Sequence, residues 1–183
     1  MKKRTLISVM AIALTCFCLI GTTFAWLVAK TEPIVNTFTS GNINISLSES
    51  TSRNPKIVPG ATLTENPQAI VRKNSEDCWL FVKIQKSETF DEFLSFEIAD
   101  GWTLLAEGSG VYYRVVTMST EDQTFGILKG NVVTAKTTPT KERYDTIDQN
   151  HYPKLTFTAY AVQKLGFATP EAAWGEAEQL VQQ

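Results

Sequence analysis

The sequence predicts a mainly β fold, an antiparallel β-sandwich with a short C-terminal helix. Two observations carry that reading. Between residues 37 and 163, short runs alternate apolar and polar residues, the period of half-buried strands, and turn-forming residues divide them. Helix-forming signals are convincing only near the end of the chain, so the strand–helix alternation of a parallel sheet is missing. Composition agrees: of 183 residues, 43% are hydrophobic and 20% charged. That is a globular balance, which excludes a wholly disordered or collagen-like chain and suits one domain with an appendage.

The appendage is N-terminal. Lys2, Lys3 and Arg4 precede an apolar run from Leu6 to Ile20. Gly21 loosens that run, and Thr23 and Ala25 supply the small residues of a cleavage site before Trp26. This is the layout of a secretory signal peptide, a helix whose cations stay on the cytoplasmic side. The rival is an uncleaved membrane anchor, because the apolar character can be extended from Leu6 to Ala29, long enough to span a bilayer. The expected organisation is therefore a signal peptide over 1–25, a leader segment over 26–37 and a β-sandwich domain over 38–183. The formal charge of the whole chain is −2. Removing the signal peptide's cations makes the rest more acidic, which suits solubility and not anionic polymers. Cys16 and Cys18 leave with the signal, and Cys78 then has no intrachain disulfide partner. An exported domain of this kind must rely on its core.

In TFTSGNINISL (37–47), Ile43, Ile45 and Leu47 are expected on one face. SESTSRNPKIVPG (48–60) reads as a polar connection ending in a Pro-Gly turn. QAIVRK (68–73) is a short strand, and NSED (74–77) a turn. CWLFVKIQK (78–86) is the strongest strand, with Cys78, Leu80, Val82 and Ile84 on one face and Trp79, Phe81, Lys83 and Gln85 on the other. ETFDEFL (88–94) suits one or two helical turns. Asp100-Gly101 turns into WTLL (102–105), and VYYRVVTM (111–118) is rich in β-branched and aromatic residues. Ile127 and Leu128, then Val132 to Thr134, flank Gly130-Asn131. The polar stretch 136–153 reads as a loop. LTFTAYAVQ (155–163) alternates again, with Leu155, Phe157, Ala159 and Ala161 on one side. Thr169 then caps a helix with Pro170 at its first position and Glu171 at its positive end. Ala173, Ala177, Leu180 and Val181 share its face, beside Trp174.

Chemistry is sparse. The only histidine, His151, cannot supply the paired imidazoles of a helical zinc site. A Cys78–His151 pair is formally a nucleophile and base, but Cys78 opens an apolar strand face, where a thiol packs and does not react. Glu88, Asp91, Glu92, Glu97 and Asp100 are the densest carboxylates, with Asp145 and Asp148 a weaker set. Calcium needs about six to eight converging oxygens, no dedicated loop spacing is present, and a solvated acidic edge is expected. Trp79, Trp102, Tyr112, Tyr113 and Tyr160 suit a sandwich core better than a sugar platform, since no polar groups accompany them. There is no phosphate loop and no basic footprint for nucleic acid. No catalytic, cofactor-binding or metal-ligating residue is therefore assigned, and no cofactor.

Several segments together resemble a known family. GTTFAWL followed by NTFTSGNINISLSE is similar to the opening of the camelysin/TasA-type proteins, exported by Gram-positive cells with a signal peptide read by the SipW-type signal peptidase. Asn36, Phe38, Gly41, Ile43 and Ile45 match the family's N-x-F-x-x-G-x-(Val/Ile)-x-(Ile/Leu) pattern. KIVPGATLTENPQAIVRKNSEDCWLFVKI, GWTLLAEGSGVYYRVV and LTFTAYAVQKLGFATPEAAW resemble its later strands and closing helix, so the likeness runs in order through nearly the whole mature chain. After the cut, Trp26-Leu27 stands for the usual aromatic pair and Val28 for the acidic residue that commonly follows.

The resemblance implies a jelly-roll-like sandwich and a subunit of extracellular biofilm matrix fibres, in which the freed N-terminal segment of one copy completes the sheet of the next. TEPIVNTF (31–38) is the segment for that role, with Ile34, Val35 and Phe38 as its docking residues and Pro33 blocking one ladder bond. The expected partners are a signal peptidase and further copies or related matrix proteins. The membrane is met only through the signal segment, and the protein ends up extracellular, at the cell surface or in the matrix. A membrane-anchored surface binding module is the first alternative. A secreted metallopeptidase is the second, against which the ligand count argues.

Overall fold

The computed structural model describes residues 42–49, 57–148 and 151–179. Thr23, Ala25, Trp26, Ile34, Val35 and Phe38, together with Leu180 and Val181, lie outside these described residues. Backbone contacts divide the chain between Thr39 and Ser40, and the described residues all belong to the second unit.

The strands are β1 (Ile45–Glu49), β2 (Thr62–Thr64), β3 (Pro67–Val71), β4 (Cys78–Lys86), β5 (Leu94–Ser95), β6 (Thr103–Leu104), β7 (Val111–Val116), β8 (Gln123–Gly126), β9 (Val132–Ala135) and β10 (Leu155–Gln163). The helices are α1 (Phe90–Phe93), α2 (Lys141–Asp145) and α3 (Pro170–Gln179), with a 3-10 turn at Lys129–Asn131. The strands form three antiparallel sheets, ordered β1-β3-β8, β10-β4-β7-β6 and β2-β9-β5. The class is mainly β and sandwich-like, as the alternation predicts.

β4 is the centre of the molecule because its sequence is apolar on both faces. Cys78, Leu80, Val82 and Ile84 enter a core shared with Ala69 and Val71 of β3, Val116 of β7 and Val133 and Ala135 of β9. The opposite face carries Trp79 and Phe81 into a second cluster, closed by Ala173, Trp174 and Ala177 of α3. Trp174 lies 5.3 Å from both the Phe81 and the Tyr160 rings. The aromatic half of the face expected to be mixed is thus a true interior, with α3 as its roof. The Thr169 hydroxyl accepts the Ala172 N–H at 3.3 Å, the N-cap the sequence announces. Gly110 is needed where β7 meets β4: at φ +65° a Cβ there would stand 2.7 Å from the Ile84 carbonyl oxygen.

Two details are added and two expectations corrected. Leu47 is 40% exposed, because β1 is an edge strand and only Ile43 and Ile45 reach the core. At Gly130-Asn131 the chain passes between sheets, since β8 pairs with β3 while β9 pairs with β2 and β5. The polar stretch 136–153 contains α2, whose Thr140 cap accepts the Arg143 N–H and whose Tyr144 hydroxyl donates to the Lys136 carbonyl at 2.6 Å. Finally, the WTLL segment contributes only two residues to a strand, since Trp102 is engaged elsewhere.

Candidate functional site

The residue types first considered for chemistry are kept apart. Cys78 is fully buried at the start of β4, and burial pushes its thiol pKa up to about 11, with the Asp77 carboxylate adding to the rise. His151 lies past the other end of that strand, where its carbonyl accepts the Thr89 hydroxyl and its Nδ1 stands 3.3 Å from Asp148. A strand of this length separates the two by roughly 25 Å, so no thiol–imidazole pair exists. The elevated thiol pKa has a measurable consequence. Between about pH 9 and 11 the unfolded chain releases the Cys78 proton while the folded chain keeps it, so folding stability is complete below pH 9 and falls as pH rises towards 11. Urea midpoints of the wild type should therefore drop more steeply over that range than those of Cys78→Ala.

The carboxylates of the 88–100 segment are all exposed, and three are drawn to separate cations. Asp91 meets Lys86 at 2.8 Å, Glu97 meets Lys129 at 2.9 Å, and Glu92 is forked by Arg143 at 2.7 and 2.9 Å. Such exposed pairs are screened by solvent and add little to stability. Among the described residues no three His, Cys, Asp or Glu side chains gather where a metal could sit. Trp79 and Trp102 are buried, while Tyr112 faces the main core and Tyr113 and Tyr160 lie under α3. These rings share no open face on which a sugar could stack.

The feature that stands out is a strand edge. The Ser87 N–H donates to Lys154 at 3.0 Å and the Lys164 N–H to Asp77 at 2.8 Å, at either end of the β4–β10 ladder. Both bonds fix the same alternation: even-numbered residues of β10 exchange hydrogen bonds with β4. The odd ones, Leu155, Phe157, Ala159, Ala161 and Gln163, turn their N–H and C=O groups away from it. The Ile84–Gly110 bond, which points even-numbered β4 residues at β7, requires the same phase. No strand among the described residues pairs with that outward row. β1 lies beside β10 without joining its ladder, and its own outward backbone belongs to Ile45, Leu47 and Glu49. The two sheets therefore meet along a seam of two open edges, with exposed Leu47 on one of them.

The opposite side of the sandwich is closed. The Ile127 N–H donates to Pro67, which leaves Thr124 and Gly126 facing outward on β8. The Gly126 carbonyl accepts the Trp102 indole N–H at 2.8 Å, and just beyond it Ala99 donates to Ile127 and Lys129 to Glu97. β2, β5 and β6 have three residues or fewer, too short to template another strand. Trp102→Phe keeps the ring but orphans the Gly126 carbonyl, so it is expected to cost about 1–3 kcal/mol, read as a lower denaturant midpoint at unchanged slope.

Edge strands are usually defended by charge or proline. LTFTAYAVQ contains neither along its nine residues, while Lys154 and Lys164 flank it. Its inward side chains include the small Ala159 and Ala161, both only part-buried, which leaves shallow ground for larger side chains from an added strand. The site is suited to backbone recognition, and its position next to Asn42 matters. The Asn42 carbonyl accepts the Glu76 N–H at 3.0 Å, which places Asn42 beside the Asp77–Lys164 end of this edge. No helix among the described residues is long and apolar enough to cross a membrane. No protein-family model, curated protein or solved structure matches the chain.

Proposed function

We propose that this is an exported, non-enzymatic structural subunit of a cell-surface or extracellular matrix fibre, assembled by strand addition. One copy supplies its N-terminal segment, with Ile34, Val35 and Phe38 as the docking residues, and the next copy receives it along β10. The open, uncharged edge of β10 is the observation that carries this reading. A head-to-tail contact of that kind does not close on itself and so builds filaments. Backbone pairing supplies the affinity, and the alternate side chains of the incoming strand select the register. The resemblance to camelysin/TasA-type proteins points the same way, including a jelly-roll-like course for the strands and export through a signal peptide cut after Ala25. On this reading the partners are a signal peptidase and further copies or related matrix proteins.

Two measurements on secreted material test the proposal. Its N-terminal sequence should begin at Trp26, whereas a chain still carrying residues 1–25 would instead indicate a membrane-anchored surface module. Electron microscopy should show filaments from the mature protein and none from a variant lacking residues 26–38. Equal filament formation by both would refute assembly through the N-terminal segment.

A further inference from the structure

Arg114 sits where an arginine has little reason to be. It lies on β7 in phase with Tyr112 and Val116, so it points inward between the sheets. Its guanidinium carbon is 4.0 Å from the centroid of the Phe125 ring and 5.4 Å from that of Trp102. The other two arginines among the described residues are bound to carboxylates, Arg72 to Asp122 and Arg143 to Glu92. Arg114 makes no ion pair with a described residue. Its Nε is sealed from solvent with no hydrogen-bond partner, and neither Nη1 nor Nη2 bonds a described residue. Asp100, two residues before Trp102, acts on Lys129, and the only influence on Arg114 is burial, which lowers its pKa.

A guanidinium stays charged at any physiological pH, and native structures leave few buried donors unsatisfied. Aromatic contacts offset part of the desolvation but satisfy no N–H. Gly101 completes the surroundings. It has φ +86°, and a Cβ there would lie 3.2 Å from Nη2, so only glycine lets the turn run this close to the fork. The free fork is planar, and a planar acceptor meets it with two parallel hydrogen bonds.

We propose that Arg114, with Trp102, Phe125 and the Gly101 turn, forms a binding site for a carboxylate, which the Nη1 and Nη2 pair takes end-on. The site lies on the closed side of the sandwich, away from β10, and is independent of the strand-addition reading. The carboxylate comes either from a free organic acid or from an acidic side chain of a peptide.

The test is nitrogen–proton NMR of the full chain, following the Nε–Hε signal of Arg114 assigned by its loss in Arg114→Lys. Acetate should shift this signal saturably and chloride at equal ionic strength should not, while inorganic phosphate, which an arginine fork also takes with two bonds, should compete for the same site. A capped aspartate peptide that shifts the signal as acetate does assigns the side-chain source. A peptide that leaves it unmoved while acetate saturates assigns the free acid. A second readout is Trp102 fluorescence, whose acetate response should be lost in Arg114→Lys while that variant keeps the wild-type melting profile. If the variant unfolds, the wild-type comparison of acetate and chloride decides alone. No saturable acetate shift, or an equal shift with chloride, overturns the proposal.

Discussion

Phe81→Ala is expected to remove about 3–5 kcal/mol of stability, a large part of what a domain of this size possesses. Phe81 is completely buried under α3, with its ring 5.3 Å from Trp174 and 6.4 Å from Tyr113. The roof helix holds on chiefly by Ala173, Trp174 and Ala177, and the two alanines are too small to fill a cavity left beneath them. Trp174→Ala should cost a comparable amount. Because the two rings touch, the double variant should lose less than the sum of the singles, by about 0.5–3 kcal/mol. Chemical denaturation of the three variants measures all of this. A cost below about 1 kcal/mol for Phe81→Ala would mean that the second cluster is not a true core.

The second large effect separates folding from assembly. Ala159 directs its N–H away from β4, so Ala159→Pro removes no bond of the existing ladder and is expected to leave the subunit folded. It deletes a donor from the centre of the open edge, and filament formation should be abolished. Tyr160→Pro, one residue on, removes an N–H committed to β4 and a ring packed on Trp174, and should unfold the subunit outright. Circular dichroism reads the fold and light scattering reads assembly. Filaments from Ala159→Pro at the wild-type rate would exclude the β10 edge as the acceptor.

Much of the fold was legible because the pattern is local. CWLFVKIQK and LTFTAYAVQ form strands at the residues their alternation marks, and the Thr169-Pro170 start of α3 is where its capping chemistry places it. What was hidden depends on partners distant in sequence. The outer face of β4 looks mixed until α3, more than ninety positions away, covers Trp79 and Phe81. Gly130-Asn131 reads as a turn, but turn residues do not reveal which sheet each flanking strand joins. α2 has too few apolar residues to show a helical period, and Tyr144 anchors it through its hydroxyl. The open edge was half visible: an uncharged strand between two lysines can be read directly, but only the pairing order reveals that it lies at the rim of its sheet. Arg114 gives no sequence signal at all, since an arginine at an alternating position of a strand ordinarily faces solvent.

The most direct test of strand addition is hydrogen exchange at single residues of β10, in the dilute subunit and in the assembled state. In the subunit the amides of Thr156, Thr158, Tyr160 and Val162 should be protected, and those of Phe157, Ala159 and Ala161 should exchange freely. On assembly the second set should become protected to the level of the first. Filaments in which Phe157, Ala159 and Ala161 still exchange at the subunit's rate would contradict the account, because copies would then be joined through some other surface.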